Sequence, residues 1–313
     1  MAKLWIYTAA VCVIGSWLSP FLFNAAMALT EVSSQKTLNG PLRWLAGLCA
    51  ETGLWKFQTI AMLLAAVALF LPWVNWLTTG HLALRRPPAM GQALQPNPNG
   101  PRQLVIGLLS VCVACVMVGL AMVPLGMANL RPGTASLLGQ ILLVLPWTLV
   151  LAALIELMMR GVVFGLFLRS FPPLTAMAFA AFFYALAWNL FPNADIEVPD
   201  PESTGAGFAL LGETIGQLGT WRGMLTAFLP MLVLGFILGY ARWRTASLWL
   251  PIGLHAGIML AREMISSLLE FDVLYGFGSS TQTQQMLSGV GIVAALVMVS
   301  LLARDDGLPH HER

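Results

Sequence analysis

The sequence predicts an all-α fold, a polytopic transmembrane helix bundle of about eight spans, and three observations carry that prediction. Of the 313 residues, 58% are hydrophobic and 10% charged, against roughly 45–50% and about 25% in soluble domains. The apolar residues gather in blocks of about 20, the length a helix needs to cross a hydrocarbon core ~30 Å thick at ~1.5 Å per residue. The longer connections between blocks are polar. This composition excludes an ordinary cytosolic enzyme. With 16 Lys and Arg against 14 Asp and Glu, the formal charge is +2, which leaves no basic excess to neutralise a phosphate backbone. The expected partner is the lipid bilayer, not nucleic acid.

The blocks fall at 4–29, 57–78, 104–127, 137–168, 173–191, 223–241, 246–268 and 285–303. The first carries only Lys3 ahead of it and is longer than the ~7–15 apolar residues of a secretory signal. It reads as a span, with cleavage after the small residues of NAAMA as the competing reading. The fourth block would be ~48 Å of helix, so it must tilt, kink near Pro146, or protrude. Pro172 and Pro173 then turn the chain back as the fifth span. The segment 81–103 is rich in proline, glycine and asparagine and carries Arg85, Arg86 and Arg102. The connection 192–222 carries Asp195, Glu197, Asp200, Glu202 and Glu213 against Arg222. Both read as polar connections, on opposite sides of the membrane.

With the amino terminus inside, Lys3, Arg85, Arg86, Arg102, Arg169, Arg242, Arg244, Arg304 and Arg313 are cytoplasmic, whereas Lys36, Arg43, Lys56, Arg131 and Arg222 are outside. The positive-inside rule favours this orientation, with both termini cytoplasmic. No transit peptide is evident, which suggests a bacterial plasma membrane. Cys12, Cys49, Cys112 and Cys115 show no disulfide framework. The pair Cys112 and Cys115 lacks the further ligands of a zinc site, so neither metal nor cofactor is expected.

An ionisable side chain within a span costs ~2.5–3.5 kcal/mol on insertion scales and calls for an explanation. The fourth span holds Glu156 and Arg160 in IELMMRGVVFG, and the seventh holds His255, Arg262 and Glu263 in LWLPIGLHAGIMLARE. Glu156 and Arg160 stand at i and i+4 with the acid toward the amino end, the favourable order for an ion pair. Either they lock the helix to a neighbour, or Glu156 belongs to a water-accessible site. Glu156 and His255 lie at depths ~5 Å apart along their spans, so they can meet. Arg262 and Glu263 stand near a span end, where snorkelling accounts for them. Gly161 and Gly165, Gly235 and Gly239, and Gly253 and Gly257 share the small-x-x-x-small spacing of close helix packing.

These segments resemble the motifs of the CAAX prenyl protease and bacteriocin-processing family of intramembrane proteases. IELMMRGVVFG is similar to its first motif, two Glu, three residues, then Arg. FFYALAWNLF is similar to the middle one, an aromatic, three residues, then His, and LWLPIGLHAGIM to the last, His, three residues, then Asn. The resemblance covers about 150–260 and implies a glutamic-type peptidase without a catalytic metal. The first Glu and the middle His would activate water, and the last His and Asn would stabilise the oxyanion. Glu156, Arg160 and His255 match. Ile155 stands for the first Glu, Trp188 for the middle His and Met259 for the final Asn.

The implied organisation is one membrane domain: helices and loops at 1–136, a family-like core at 137–268, and a last helix with a polar tail at 269–313. Three functions follow. A working endopeptidase would use Glu156 and His255 as catalytic groups, with Arg160 structuring the site, on membrane-embedded or lipidated protein substrates. A pseudoprotease or non-catalytic binding subunit would hold such a partner in the same place. A transporter would need more polar groups along a path than the spans provide.

Overall fold

The computed structural model describes residues 2–35, 39–50, 52–78, 97–131, 137–192, 196, 198–271, 289 and 291–301. A helix occupies each of the eight apolar blocks. Among the described residues five helices are long and apolar enough to cross a membrane, Ala2–Gln35, Leu54–Trp76, Gly100–Ala121, Ile141–Phe167 and Trp221–Thr245, and shorter apolar helices occupy Pro173–Asn189 and Gly291–Leu301. The protein is an all-α, polytopic membrane bundle.

In chain order the helices are α1 (Ala2–Gln35), α2 (Gly40–Ala50), α3 (Leu54–Thr78), α4 (Gly100–Ala121), α5 (Leu137–Glu156, continuing through π-helical Leu157–Val163 into Phe164–Phe167), α6 (Pro173–Asn189), α7 (Ala206–Leu218), α8 (Trp221–Gly223, π-helical Met224–Phe228, then Leu229–Thr245), α9 (Trp249–Leu268) and α10 (Gly291–Leu301). Strands β1 (Ala128–Leu130) and β2 (Leu269–Phe271) pair antiparallel, with Ala128 opposite Phe271. Pro146 lies inside the regular part of α5. The change of winding comes later, at Leu157–Val163, on the turns that follow Glu156.

Two compact units divide the chain, 1–86 with 186–224 and 87–185 with 225–313. In the first, α1 and α3 are tied along their length. The Tyr7 hydroxyl donates to Ala66 O at 2.7 Å, the Trp73 indole donates to Lys3 O at 3.0 Å, and the two rings stack at 4.6 Å. Midway, buried Gln58 donates to Ser16 Oγ at 3.2 Å and accepts from Ser19 Oγ at 3.4 Å, so polar groups inside the unit satisfy one another.

The connection 192–222 is not loop throughout, because α7 forms within it. Ala206, Gly207, Leu210 and Thr214 are its buried residues, a narrow stripe at helical spacing among polar and exposed positions. Gly207 rests on Ser16 O and Ser19 Oγ of α1 so closely that a Cβ would collide. The acidic residues Asp200, Glu202 and Glu213 are exposed; Asp195 and Glu197, like most of the segment 81–103, lie outside the described residues.

In the second unit α4 and α9 meet backbone to backbone. Gly253 and Gly257 of α9 receive Leu104 O and Leu108 O of α4, and Gly107 of α4 faces Leu254 N. Each glycine removes the side chain that would hold the helices apart. Around this seam Val111, Cys115, Leu238, Leu250, Leu254, Ala261 and Ala295 form a fully buried cluster. The cysteines of α4 are part of that packing, Cys112 Sγ lying 3.8 Å from Met264 Sδ.

A side chain at the seam has nowhere to go, since its neighbour is backbone. Gly257→Leu is expected to cost at least about 3 kcal/mol, the upper end of overpacking penalties. Gly212→Ala on α7, where no atom lies within 4 Å of an added Cβ, is expected to be neutral or stabilising by about 0.5–1 kcal/mol. Unfolding by detergent titration of both variants checks the pair.

Candidate functional site

The second unit brings three of its buried ionisable side chains, Glu156, Arg160 and His255, together at one place. Glu156 ends the regular α-helical part of α5 and is fully buried. Beyond it the winding widens: Phe164 N–H donates to Met159 O, the i→i+5 bond of a π-helix. Arg160 lies within these turns, 3% exposed, and its Nη1 donates to Glu156 Oε1 at 2.9 Å. Nη2 donates to Gly235 O on α8 at 3.3 Å. The guanidinium carbon lies 4.3 Å from the Tyr184 ring centroid of α6, a cation–π contact strengthened by exclusion of water. The cation is therefore held by three helices.

His255 of α9 completes the arrangement. Its Nδ1 lies 2.7 Å from the same Glu156 Oε1. The contact is a hydrogen bond to the carboxylate in the tautomer that carries its proton on Nδ1. The Tyr184 ring meets the imidazole edge-on, with centroids 6.2 Å apart at 83°. Glu156, Arg160 and His255, on two different spans of the sequence, thus converge on one oxygen in an interior of low dielectric, where charge-assisted bonds are strong.

Glycine makes the convergence possible here too. A Cβ on Gly235 would stand 2.9 Å from Tyr184 Cδ1 and 3.1 Å from Ala181 Cα. Only a bare Cα lets α8 close on α6 with its carbonyl in reach of Arg160. Chemically, the cluster balances one carboxylate against one guanidinium and orients one imidazole. The second carboxylate oxygen, Glu156 Oε2, is buried and accepts no hydrogen bond from any described residue.

Three of the remaining positions singled out in the sequence, Ile155, Trp188 and Met259, carry no ionisable group. Ile155 is half-buried and, as the neighbour of Glu156, projects about 100° away from it. Met259 is half-buried one turn beyond His255 on α9, and Trp188 one turn beyond Tyr184 on α6. Arg262 and Glu263 are exposed near the end of α9, as snorkelling side chains are. His81, His310 and His311 lie outside the described residues. Among the described residues no three His, Cys, Asp or Glu stand close enough to hold a metal ion.

Two participants were not singled out as site residues. Tyr184 is the aromatic of FFYALAWNLF, and its i, i+4 relation to Trp188 was the available signal. The Gly235 carbonyl is a backbone group, and the glycine spacing marked only that its helix packs closely.

Comparison with known proteins bears on the same segment. No curated protein and no solved structure matches the chain. Residues 137–261 match the family model of the Type II CAAX prenyl endopeptidase Rce1-like proteins, a stretch that begins with α5, holds Glu156, Arg160, Tyr184 and Gly235, and runs past His255. The three motif-bearing helices and this match agree on the same segment: the 137–261 core of this membrane protein is similar to the Type II CAAX prenyl endopeptidases.

Proposed function

We propose that the protein is a pseudoprotease, which holds a membrane segment or a lipidated peptide on the scaffold of the intramembrane CAAX-type peptidases without cleaving it. The observation that carries this reading is the sharing of Glu156 Oε1 by Arg160 and His255, at 2.9 and 2.7 Å. A general base needs an oxygen in reach of the proton it removes, and this one is engaged twice. The three other positions where the family resemblance calls for polar chemistry hold Ile155, Trp188 and Met259. Trp188 and Met259 offer apolar, polarisable contact area, suited to an apolar helix or a lipid chain. Glu156, Arg160 and His255 then act as a lock between α5, α8 and α9. The charge bias of the connections supports cytoplasmic termini.

One observation favours a second reading, a glutamic-type intramembrane endopeptidase. Glu156 Oε2 is an acceptor with no described donor, and a substrate-borne water there would meet a carboxylate base, with His255 as acid or oxyanion donor.

A survey of amino- and carboxy-terminal peptides in host membranes separates the two. Comparing intact protein, deletion, Glu156→Gln and His255→Ala, the pseudoprotease predicts the same termini in all four. A cleavage present only with the intact protein establishes the endopeptidase.

The lock makes its own prediction. Glu156→Gln leaves the buried Arg160 guanidinium without a counter-charge and is expected to cost about 3 kcal/mol or more in detergent-titrated unfolding. The double change Glu156→Gln with Arg160→Met removes both charges and is expected to recover at least half of that loss. A double variant no more stable than the single one contradicts the lock.

A further inference from the structure

Helix α7 sits deeper in the first unit than a connection between spans requires. One end of that unit is marked where Lys3 Nζ donates to Trp76 O at 2.6 Å and lies over the Trp76 ring, a lysine and a tryptophan of the kind that meet a membrane surface. Measured along α1 from Lys3, Ser16 and Ser19 stand 13 and 16 residues on, about 20 and 24 Å at the helical rise. Gly207 of α7 rests on those two residues. A hydrocarbon core is ~30 Å thick, and any tilt of α1 shortens the depth it covers, so Gly207 lies at least about 6–10 Å below the far surface. The chain descends to it from that surface. Asn24 Nδ2, about 32 Å from Lys3 along α1, donates to Glu202 O at 2.9 Å, and Asp200 and Glu202 are exposed.

The helix does not continue across. Leu210 packs in the apolar cluster of Phe23, Ala26, Leu54 and Phe57, at the end of α1 and α3 far from Lys3. Trp221, 77% exposed and beside Arg222, then opens the next span. The chain between Glu202 and Trp221 thus dips in and returns on one side.

The faces of α7 agree with that depth. Its buried stripe, Ala206, Gly207, Leu210 and Thr214, includes the residue seated on α1. Beside the stripe Phe208 and Ile215 are 43% and 51% exposed, and at seven residues apart they share a face. Exposed Glu213 and Gln217 project roughly 140–180° away from Phe208. One flank is apolar and the opposite one polar, the pattern of a helix lying in the plane of a membrane interface.

We propose that α7 is a re-entrant interfacial helix, with its Phe208 and Ile215 flank bound by the acyl chains of the leaflet far from Lys3 and its Glu213 and Gln217 flank in water. Interfacial helices bury their apolar face ~5–10 Å into a leaflet, which is the depth at which α1 holds Gly207. That depth selects acyl chains over a soluble partner, which stops at the surface. The inference is independent of the Glu156 cluster and of whether that cluster hydrolyses anything.

The test uses the full chain in phosphatidylcholine vesicles. In a Cys49→Ala background, whose remaining cysteines 12, 112 and 115 are buried, spin labels are placed singly through Phe208→Cys, Ile215→Cys, Glu213→Cys and Gln217→Cys. Leu64→Cys on the exposed face of α3 and Glu202→Cys supply the acyl-chain and water references. The ratio of collisions with oxygen to collisions with a water-soluble nickel chelate is expected to be at least about fivefold higher at 208 and 215 than at 213 and 217. Nickel-dominated collisions at all four positions make the segment a loop in water and overturn the proposal. Positions 208 and 215 shielded from both reagents are covered by protein, which overturns it too. Should a variant not fold, wild type carries the test through photolabelling with a phosphatidylcholine that bears a diazirine in its acyl chain. Adducts within 208–215 support the interfacial helix, and adducts in the long spans with none in 206–218 overturn it.

Discussion

One carboxylate oxygen, Glu156 Oε1, organises the second unit. A lone carboxylate within a hydrocarbon layer is costly enough to be expelled or neutralised, so its retention requires partners fixed in place beforehand. Arg160 supplies the opposite charge, and His255 supplies a donor from another span. Each of those groups imposes a further condition. Arg160 needs the widened turns of α5, the Gly235 carbonyl and the Tyr184 ring, while His255 needs α9 seated deeply enough to reach the acid. The glycines at 235, 253 and 257 are therefore conditions of the electrostatics as well as of the packing.

This dependence separates scaffold from activity. A fold does not fix the chemistry performed on it, and here the groups matching the family pattern are those that also hold helices together. Arg160 touches α6 and α8, and His255 joins α9 to α5. Such side chains would persist in a protein that has lost its reaction, since removing one strands the others. Positions 155, 188 and 259 hold Ile, Trp and Met.

Much of this was legible in the sequence, for physical reasons. Hydrophobic block length reports helices because lipid leaves no other way to satisfy the backbone, and a helix occupies each block. Glu156 and His255 were legible as a pair because charges are so rare in the spans that their depths could be compared. Helix α7 was not, since its buried stripe of Ala206, Gly207, Leu210 and Thr214 is short and lies among acidic and glycine-rich neighbours that signal a connection. The change of winding at Leu157–Val163 was not legible either. Pro146 was the visible candidate for irregularity, whereas the widened turns accompany the contacts Arg160 makes with other helices.

The seam between α4 and α9 constrains movement as well as assembly. Carbonyls seated on bare Cα atoms interlock like teeth, so neither helix slides past the other without lifting out of contact. These two helices form a keel, and His255 rides on it as a fixed point. Where α6 faces α8 near Met177, by contrast, a Cβ added to Gly239 would meet only the flexible Met177 side chain, at 3.6–4.0 Å. The slack between α6 and α8 is confined to that level, because one turn away at Gly235 the two helices close on each other as tightly as the keel does.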